Sequence, residues 1–152
     1  MAGKDVSSQS IVQGIVDALR EEFGSAYVYY LDKVPQNFKE PSFYVRQLSS
    51  NMELIRGRRY LRVGLFQITY FAGERYSPEQ EINTVADRLY PALEYIKLDG
   101  NIIRGTSMEH ETEDEELHFS VHYDIFVYKP VNQLPLMQKL IQEQSLKEST
   151  YD

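Results

Sequence analysis

The sequence predicts an α+β fold, a mostly antiparallel sheet of about five to six strands with helices packed on one face. Three observations point there. Apolar residues recur at helical spacing from Ile11 to Phe23 and from Ile82 to Leu93, each set making one stripe. They alternate from Leu117 to Val127, with His118, Ser120, His122 and Asp124 between them, as in a strand with one buried face. Asp99-Gly100 separates two short apolar runs. This is a strong hairpin signal, because a tight primed turn needs positive φ and Gly supplies it without strain.

Each element follows from local chemistry. A first helix is expected over residues 8–23, with Ile11, Ile15, Leu19 and Phe23 four apart and Val12 and Val16 beside them. Gly14 weakens it slightly, and Gly24 is placed to stop it. Residues 26–31 read as a short, Tyr-rich strand, and 34–41 as a loop with two prolines. A second strand is expected over 42–48, followed by a polar, mobile stretch over 49–57. Residues 60–71 form a long third strand with Leu61, Val63 and Leu65 on one face and Phe66, Ile68 and Tyr70 on the other. The parity shift near Leu65 predicts a bulge or partial cover on both faces.

The second helix carries the firmest signature. Ser77-Pro78-Glu79-Gln80 supplies a cap, a proline at the first helical position and a glutamine three residues after the cap. Ile82, Val85, Ala86, Leu89 and Leu93 mark its buried face. Strands at 95–98 and 101–104 flank the Asp99-Gly100 turn, and Gly105 predicts a kink before 106–112. Residues 109–116 hold six acids in eight and read as a solvated loop before the last strand, 117–128. Leu136, Met137, Leu140 and Ile141 mark a final amphipathic helix over 136–147, after a turn bracketed by Pro130 and Pro135.

The 152 residues fit one domain, with residues 1–7 as a flexible N-terminus, 8–129 as the folded unit and 130–152 as a C-terminal helix and tail. No apolar run approaches the ~20 residues of a membrane-spanning helix, and the first ten residues lack the apolar core of a signal peptide. The absence of cysteine removes disulfides, thiolate metal sites and cysteine nucleophiles, and fits a cytoplasmic protein. A net charge of −7 argues against a general nucleic-acid binder, whose affinity comes mainly from cations on phosphates. The charge is uneven. Arg56, Arg58, Arg59 and Arg62 stand against one acid over 53–62, whereas Glu111, Glu113, Asp114, Glu115 and Glu116 crowd the acidic stretch.

Catalytic patterns are missing. There is no phosphate-binding Gly-x-x-x-x-Gly-Lys loop, no Gly-x-Gly-x-x-Gly and no Gly-x-Ser-x-Gly elbow. His118 and His122 are four apart, a metal spacing on a helix, but on a strand they stand about 13 Å apart, too far for one ion. His110 lies within reach of Glu111 or Glu113, which at most suggests a weak surface cation site. Nothing isolates an acid–base pair among the 23 acids, so no enzyme is expected. Two readings stand for the twelve tyrosines, Tyr27, Tyr29, Tyr30, Tyr44, Tyr60 and Tyr70 among them: cross-strand packing or an interface. The arginines likewise read as a solvated turn or as an electrostatic docking patch for a neighbouring copy.

Four segments in this order and spacing carry a family resemblance. They are Leu19-Arg20-Glu21-Glu22-Phe23; Glu40-Pro41-Ser42-Phe43-Tyr44-Val45; Arg58-Arg59-Tyr60; and Ala86-Asp87-Arg88-Leu89-Tyr90 through Asp99-Gly100-Asn101 and Arg104-Gly105 to Leu117-His118-Phe119. The chain resembles the tail terminator proteins of tailed bacteriophages, of the Gram-positive phage and prophage type. The resemblance implies a sheet with helices on one side, no catalytic residues and no cofactor. It implies a hexameric ring that caps the tail tube, stops tube polymerisation and offers a head-joining surface. Partners would be other copies of the chain, the tube protein, a head-completion or neck protein and, in a contractile tail, the sheath protein. DNA would pass through the lumen without specific binding, and no membrane would be involved. Such a protein works in the host cytoplasm during assembly and then in the virion tail. The alternatives are another neck or head-completion connector, or a small nucleic-acid-binding regulator. A ring requires two different patches on each subunit that close after a fixed number of copies. The arginine and acid clusters are the candidates.

Overall fold

The computed structural model describes residues 7–73 and 78–128. Helix α1 (Ser8–Phe23) is followed by β1 (Val28–Tyr30), β2 (Ser42–Arg56) and β3 (Arg59–Phe71). Helix α2 (Pro78–Leu93), β4 (Tyr95–Leu98), β5 (Asn101–Glu113) and β6 (Glu116–Tyr128) complete it. The six strands make one sheet in the order β1-β2-β3-β6-β5-β4. Only β1 and β2 run parallel; the other pairs are antiparallel. This is the α+β architecture read from the sequence. Residues 1–6 of the N-terminus expected to be flexible, the Ser77 cap, and the turn and helix expected after Pro130 lie outside the described residues.

Ser7 starts α1 by accepting from the Ser10 N–H at 3.2 Å, while the Ser10 hydroxyl accepts from the Ser7 N–H at 3.4 Å, a reciprocal cap. Gly24 closes the helix at φ 87°, its N–H donating to the Arg20 carbonyl, a conformation that favours glycine. The apolar stripes of α1 and α2 meet the inward-facing residues of the sheet in one core. Phe43, Val45, Phe66, Ile68, Tyr70, Phe119, Val121 and Tyr123 are all fully buried there. Both helices therefore lie on one face. Arg88 joins them: its Nε is 2.9 Å from a Glu22 carboxylate oxygen and its Nη2 donates to the Glu22 carbonyl. Gly14 leaves room for β4, since a Cβ there would stand 2.9 Å from the Leu98 side chain.

Three expectations change and one holds. β2 does not stop at residue 48, because residues 49–56 pair with β3 almost to the turn. Backbone hydrogen bonds hold this half while its side chains stay exposed, so no burial pattern reveals it. The bulge expected near Leu65 is present, since the β2–β3 register shifts between Gln47 and Ser49, opposite Phe66 and Leu65, and again between Leu54 and Arg56, while β3 pairs with β6 without a break. Leu61, Val63 and Leu65 accordingly point away from the helices and are half-buried. Gly105 lies in continuous strand, and the distortion comes two residues later, at Ser107 (φ 50°), where the β5–β6 register shifts. The acidic stretch is no loop: it is two paired strands and a two-residue turn at Asp114 and Glu115.

Two fully buried tyrosines make the fold sensitive to alkali. The Tyr123 hydroxyl donates to the Leu93 carbonyl at 2.6 Å, and burial pushes its pKa far above the ordinary tyrosine range. Tyr70 donates to the Glu81 carboxylate; burial first, then that carboxylate, drive its pKa up as well. A pKa raised on folding contributes stability that is complete below the unfolded value and lost above it. The melting temperature should therefore hold steady up to about pH 10 and fall beyond it. Tyr123→Phe should flatten that fall in a pH series of thermal melts, whatever it does to stability at neutral pH.

Candidate interaction surfaces

The two charged clusters occupy opposite ends of the sheet. Arg59 at the start of β3 pairs with Tyr128, and Phe71 at its end pairs with Glu116. Twelve residues of strand separate these points, about 40 Å. The β2–β3 turn at Gly57 (φ 55°) thus marks a basic end and the β5–β6 turn an acidic end.

The four arginines are not equivalent. Arg56 and Arg58 are exposed at the hairpin tip. The Arg59 guanidinium lies 4.0 Å from the centroid of the Phe126 ring, a contact within the subunit. Arg62 faces the other way and donates to the Ser8 hydroxyl at 2.7 Å, tying the start of α1 to the sheet. The even-odd alternation of a strand imposes this division, but it depends on the register.

The acids form a tighter group. Glu109, Glu111 and Glu113 share the sheet face away from the helices, as their cross-strand partners Ser120, His118 and Glu116 show. Asp114 (φ 53°) and Glu115 (φ 63°) make the turn in left-handed backbone without a glycine. Glu116 lies 3.5 Å from His118 Nε2. His110 makes no ion pair among the described residues; its Nδ1 is 2.7 Å from the Tyr90 hydroxyl, on the helix side. Burial first, then Glu109 and Asp87, raise the Tyr90 pKa.

His118 and His122 both lie on the outer face of β6, as strand spacing requires, and His118 Nδ1 is 3.5 Å from the Thr69 hydroxyl. Among the described residues no group of three His, Asp or Glu could hold a metal ion, and no helix is long and apolar enough to cross a membrane. The tyrosines divide. Tyr27, Tyr29 and Tyr70 join an aromatic cluster around Phe43. Tyr44 and Tyr30 fix the 32–41 loop through the Asp32 carbonyl and the Lys39 N–H. Tyr95 and Tyr128 are more than half exposed. An open depression of about 490 Å³ lies beside Arg20, Tyr27 and Tyr29. The Arg20 guanidinium stands 5.2 Å from the Tyr29 ring centroid there, and among the described residues no acid or histidine lines it.

Sequence reasoning missed the exposed apolar residues of the basic end. Leu48, Met52, Leu54 and Ile55 are 42%, 43%, 57% and 47% exposed. Their signal was a run of large apolar side chains in a stretch otherwise read as polar.

Over residues 10–135 the chain matches the sequence model of a family described as phage tail terminator protein. No curated protein matches it. One solved structure, titled only by a sequence identifier, is 13% identical, with the alignment covering 84% of this chain and 99% of that one at a TM-score of 0.29. That likeness is too slight to carry an argument.

Proposed function

We propose that this chain, which belongs to the phage tail terminator family, closes into a ring on the end of a finished tail tube. The family assigns it a structural role in tail assembly and a place in the virion tail. The family match across residues 10–135 carries the reading. The finer account is our own. The ring, of six copies, blocks further addition of tube subunits and offers its free face to the DNA-filled head. In a contractile tail its rim meets the last sheath subunits. Assembly takes place in the host cytoplasm, and the resemblance favours a phage or prophage of a Gram-positive host.

The fold supports this reading in two ways. Basic and acidic tips at opposite ends of the subunit are the asymmetric pair that a heterologous, ring-closing contact requires. The net charge of −7 suits a conduit through which DNA slides without binding. The test is deletion of the gene from its parent particle, with tail lengths measured by negative-stain electron microscopy. Overlong, headless tails are expected. Tails of normal length that fail to join heads would move the protein to the neck, and intact particles would overturn the structural role.

A further inference from the structure

Both long flanks of the sheet are only partly covered. β1 pairs with Ser42, Phe43 and Tyr44 of β2. From residue 45 to 56 that edge has no strand beside it among the described residues. On the other flank β4 pairs with β5 from Asn101 to Arg104, and residues 106–113 are open in the same sense. An open edge presents a row of unpaired N–H and C=O groups and is a template for another strand. Each open edge contains one regular segment. On β2 it is 49–54, between the two irregularities; on β5 it is 109–113, between the Ser107 distortion and the turn.

We propose that these two segments pair with each other between copies of this chain, so that residues 49–54 of one subunit and 109–113 of the next continue one antiparallel sheet. The proposal rests on the ring reading above and names its interface. Four features of the subunit argue for a second copy as the occupant.

The first is direction. β2, β3, β6 and β5 alternate, so β5 runs antiparallel to β2. A second copy in the same orientation therefore presents an antiparallel partner, and the contact repeats head to tail. Second is clearance. Residues 49–54 lie level with 60–65 of β3, and 109–113 level with 67–71. Joining them shifts each neighbour by six to seven residues, about 20 Å along the strands. At that shift β1 of one copy passes beyond the Asp114–Glu115 turn of the other, and β4 ends short of the Gly57–Arg58 turn. Neither short strand obstructs the joint.

Third is the apolar surface. Met52 and Leu54 stand opposite Arg62 and Tyr60, on the helix side of the sheet, and are about half exposed. A like-oriented neighbour brings its own helix layer to that side and covers them. Fourth is charge. From Arg46 to Arg59 there are four arginines and one glutamate, a net of +3, against six acids over 109–116. At a shift of six residues Glu53 comes level with Glu109, the one like-charged pair in the joint, whereas pairing β5 with β5 would set acids against acids along the whole segment, which destabilises a sheet.

The absence of cysteine makes disulfide trapping clean. Asn51 and Glu111 face outward at the centres of the two segments and come level at a shift of six residues. The variant Asn51→Cys/Glu111→Cys is oxidised with oxidised glutathione, alone and after mixing with tail tubes that lack a terminator. The expected result is a ladder of linked copies, absent from both single-cysteine variants. Wild-type protein is followed in parallel by native mass spectrometry and microscopy. Wild-type rings without a ladder from the double variant would overturn this interface and leave the ring reading standing. No ring in either setting would overturn both. Linked dimers from Asn51→Cys alone would replace the proposal with a symmetric β2–β2 contact. A ladder that needs removal of residues 129–152 would assign the edge to that segment and overturn the proposal.

Discussion

Phe43→Ala should cost about 3–5 kcal/mol of folding stability, the range for truncating a buried aromatic. Phe43 is fully buried and is the hub of the aromatic cluster. Its ring centroid lies 4.9 Å from Phe23, 5.6 Å from Tyr27, 5.7 Å from Tyr29 and 4.8 Å from Tyr70. Those four rings come from the end of α1, the bend after it, β1 and β3. One side chain therefore locks the parallel β1–β2 pair to the central strands and to a helix. Tyr29 stacks on it at an interplanar angle of 6°. Truncation removes the wall of every one of these contacts, and four rings from four elements cannot collapse together into the space. Phe43→Leu keeps most of the volume and should cost less than about 1.5 kcal/mol. Urea unfolding of the two variants measures both. A loss below about 1 kcal/mol for Phe43→Ala would show that the cluster repacks freely.

Gly105→Ala should cost about 2–3 kcal/mol, the upper end of the range for overpacking. A methyl group there would stand 2.7 Å from the Leu93 carbonyl oxygen, 2.8 Å from Val121 and 3.1 Å from Tyr123. The first of these is backbone at the end of α2 and cannot swing aside. It also accepts the Tyr123 hydroxyl, so displacing it disturbs a buried hydrogen bond. The Gly105 N–H donates to the Glu94 carbonyl at 2.6 Å, which fixes the strand against the helix end from the other side. The melting temperature should fall by roughly 4–12 °C, and amide exchange should quicken around residues 93–95 and 105. An unchanged melting temperature would mean that α2 and β5 can separate without loss.

The contrast between these sites shows what the sequence can display. The need for Gly105 comes from a carbonyl twelve residues back, and no local pattern reveals it. The helices were legible because burial and period coincide: Ile82, Val85, Ala86, Leu89 and Leu93 all lie in the core. β6 was legible for the same reason, at period two. β2 was half legible, because residues 49–56 are held by pairing and not by burial, so Ser49, Ser50 and Asn51 looked like loop. The acidic stretch misled in the same way. Charged side chains on an exposed edge do not prevent a strand when its partner, β6, is anchored in the core. At the candidate surfaces the residue types were visible, but their use was not. Arg56 and Arg58 project at the tip, whereas Arg59 covers Phe126 and Arg62 holds Ser8. Only the register separates these fates.

The turn at the acidic end has a cost of its own. Two successive residues with side chains, Asp114 and Glu115, occupy left-handed backbone, which costs roughly 1–2 kcal/mol per residue for an ordinary side chain. Asn-Gly would relieve most of that strain in a two-residue hairpin. Asp tolerates the first of these positions, as it does before Gly100, so local folding preference accounts for Asp114 but not for Glu115. A chain selected for foldability alone would carry glycine at 115, and the difference is one further negative charge at the tip of the β5–β6 hairpin. Strain of this kind locates a demand from outside the fold, in the way a worn step locates a path.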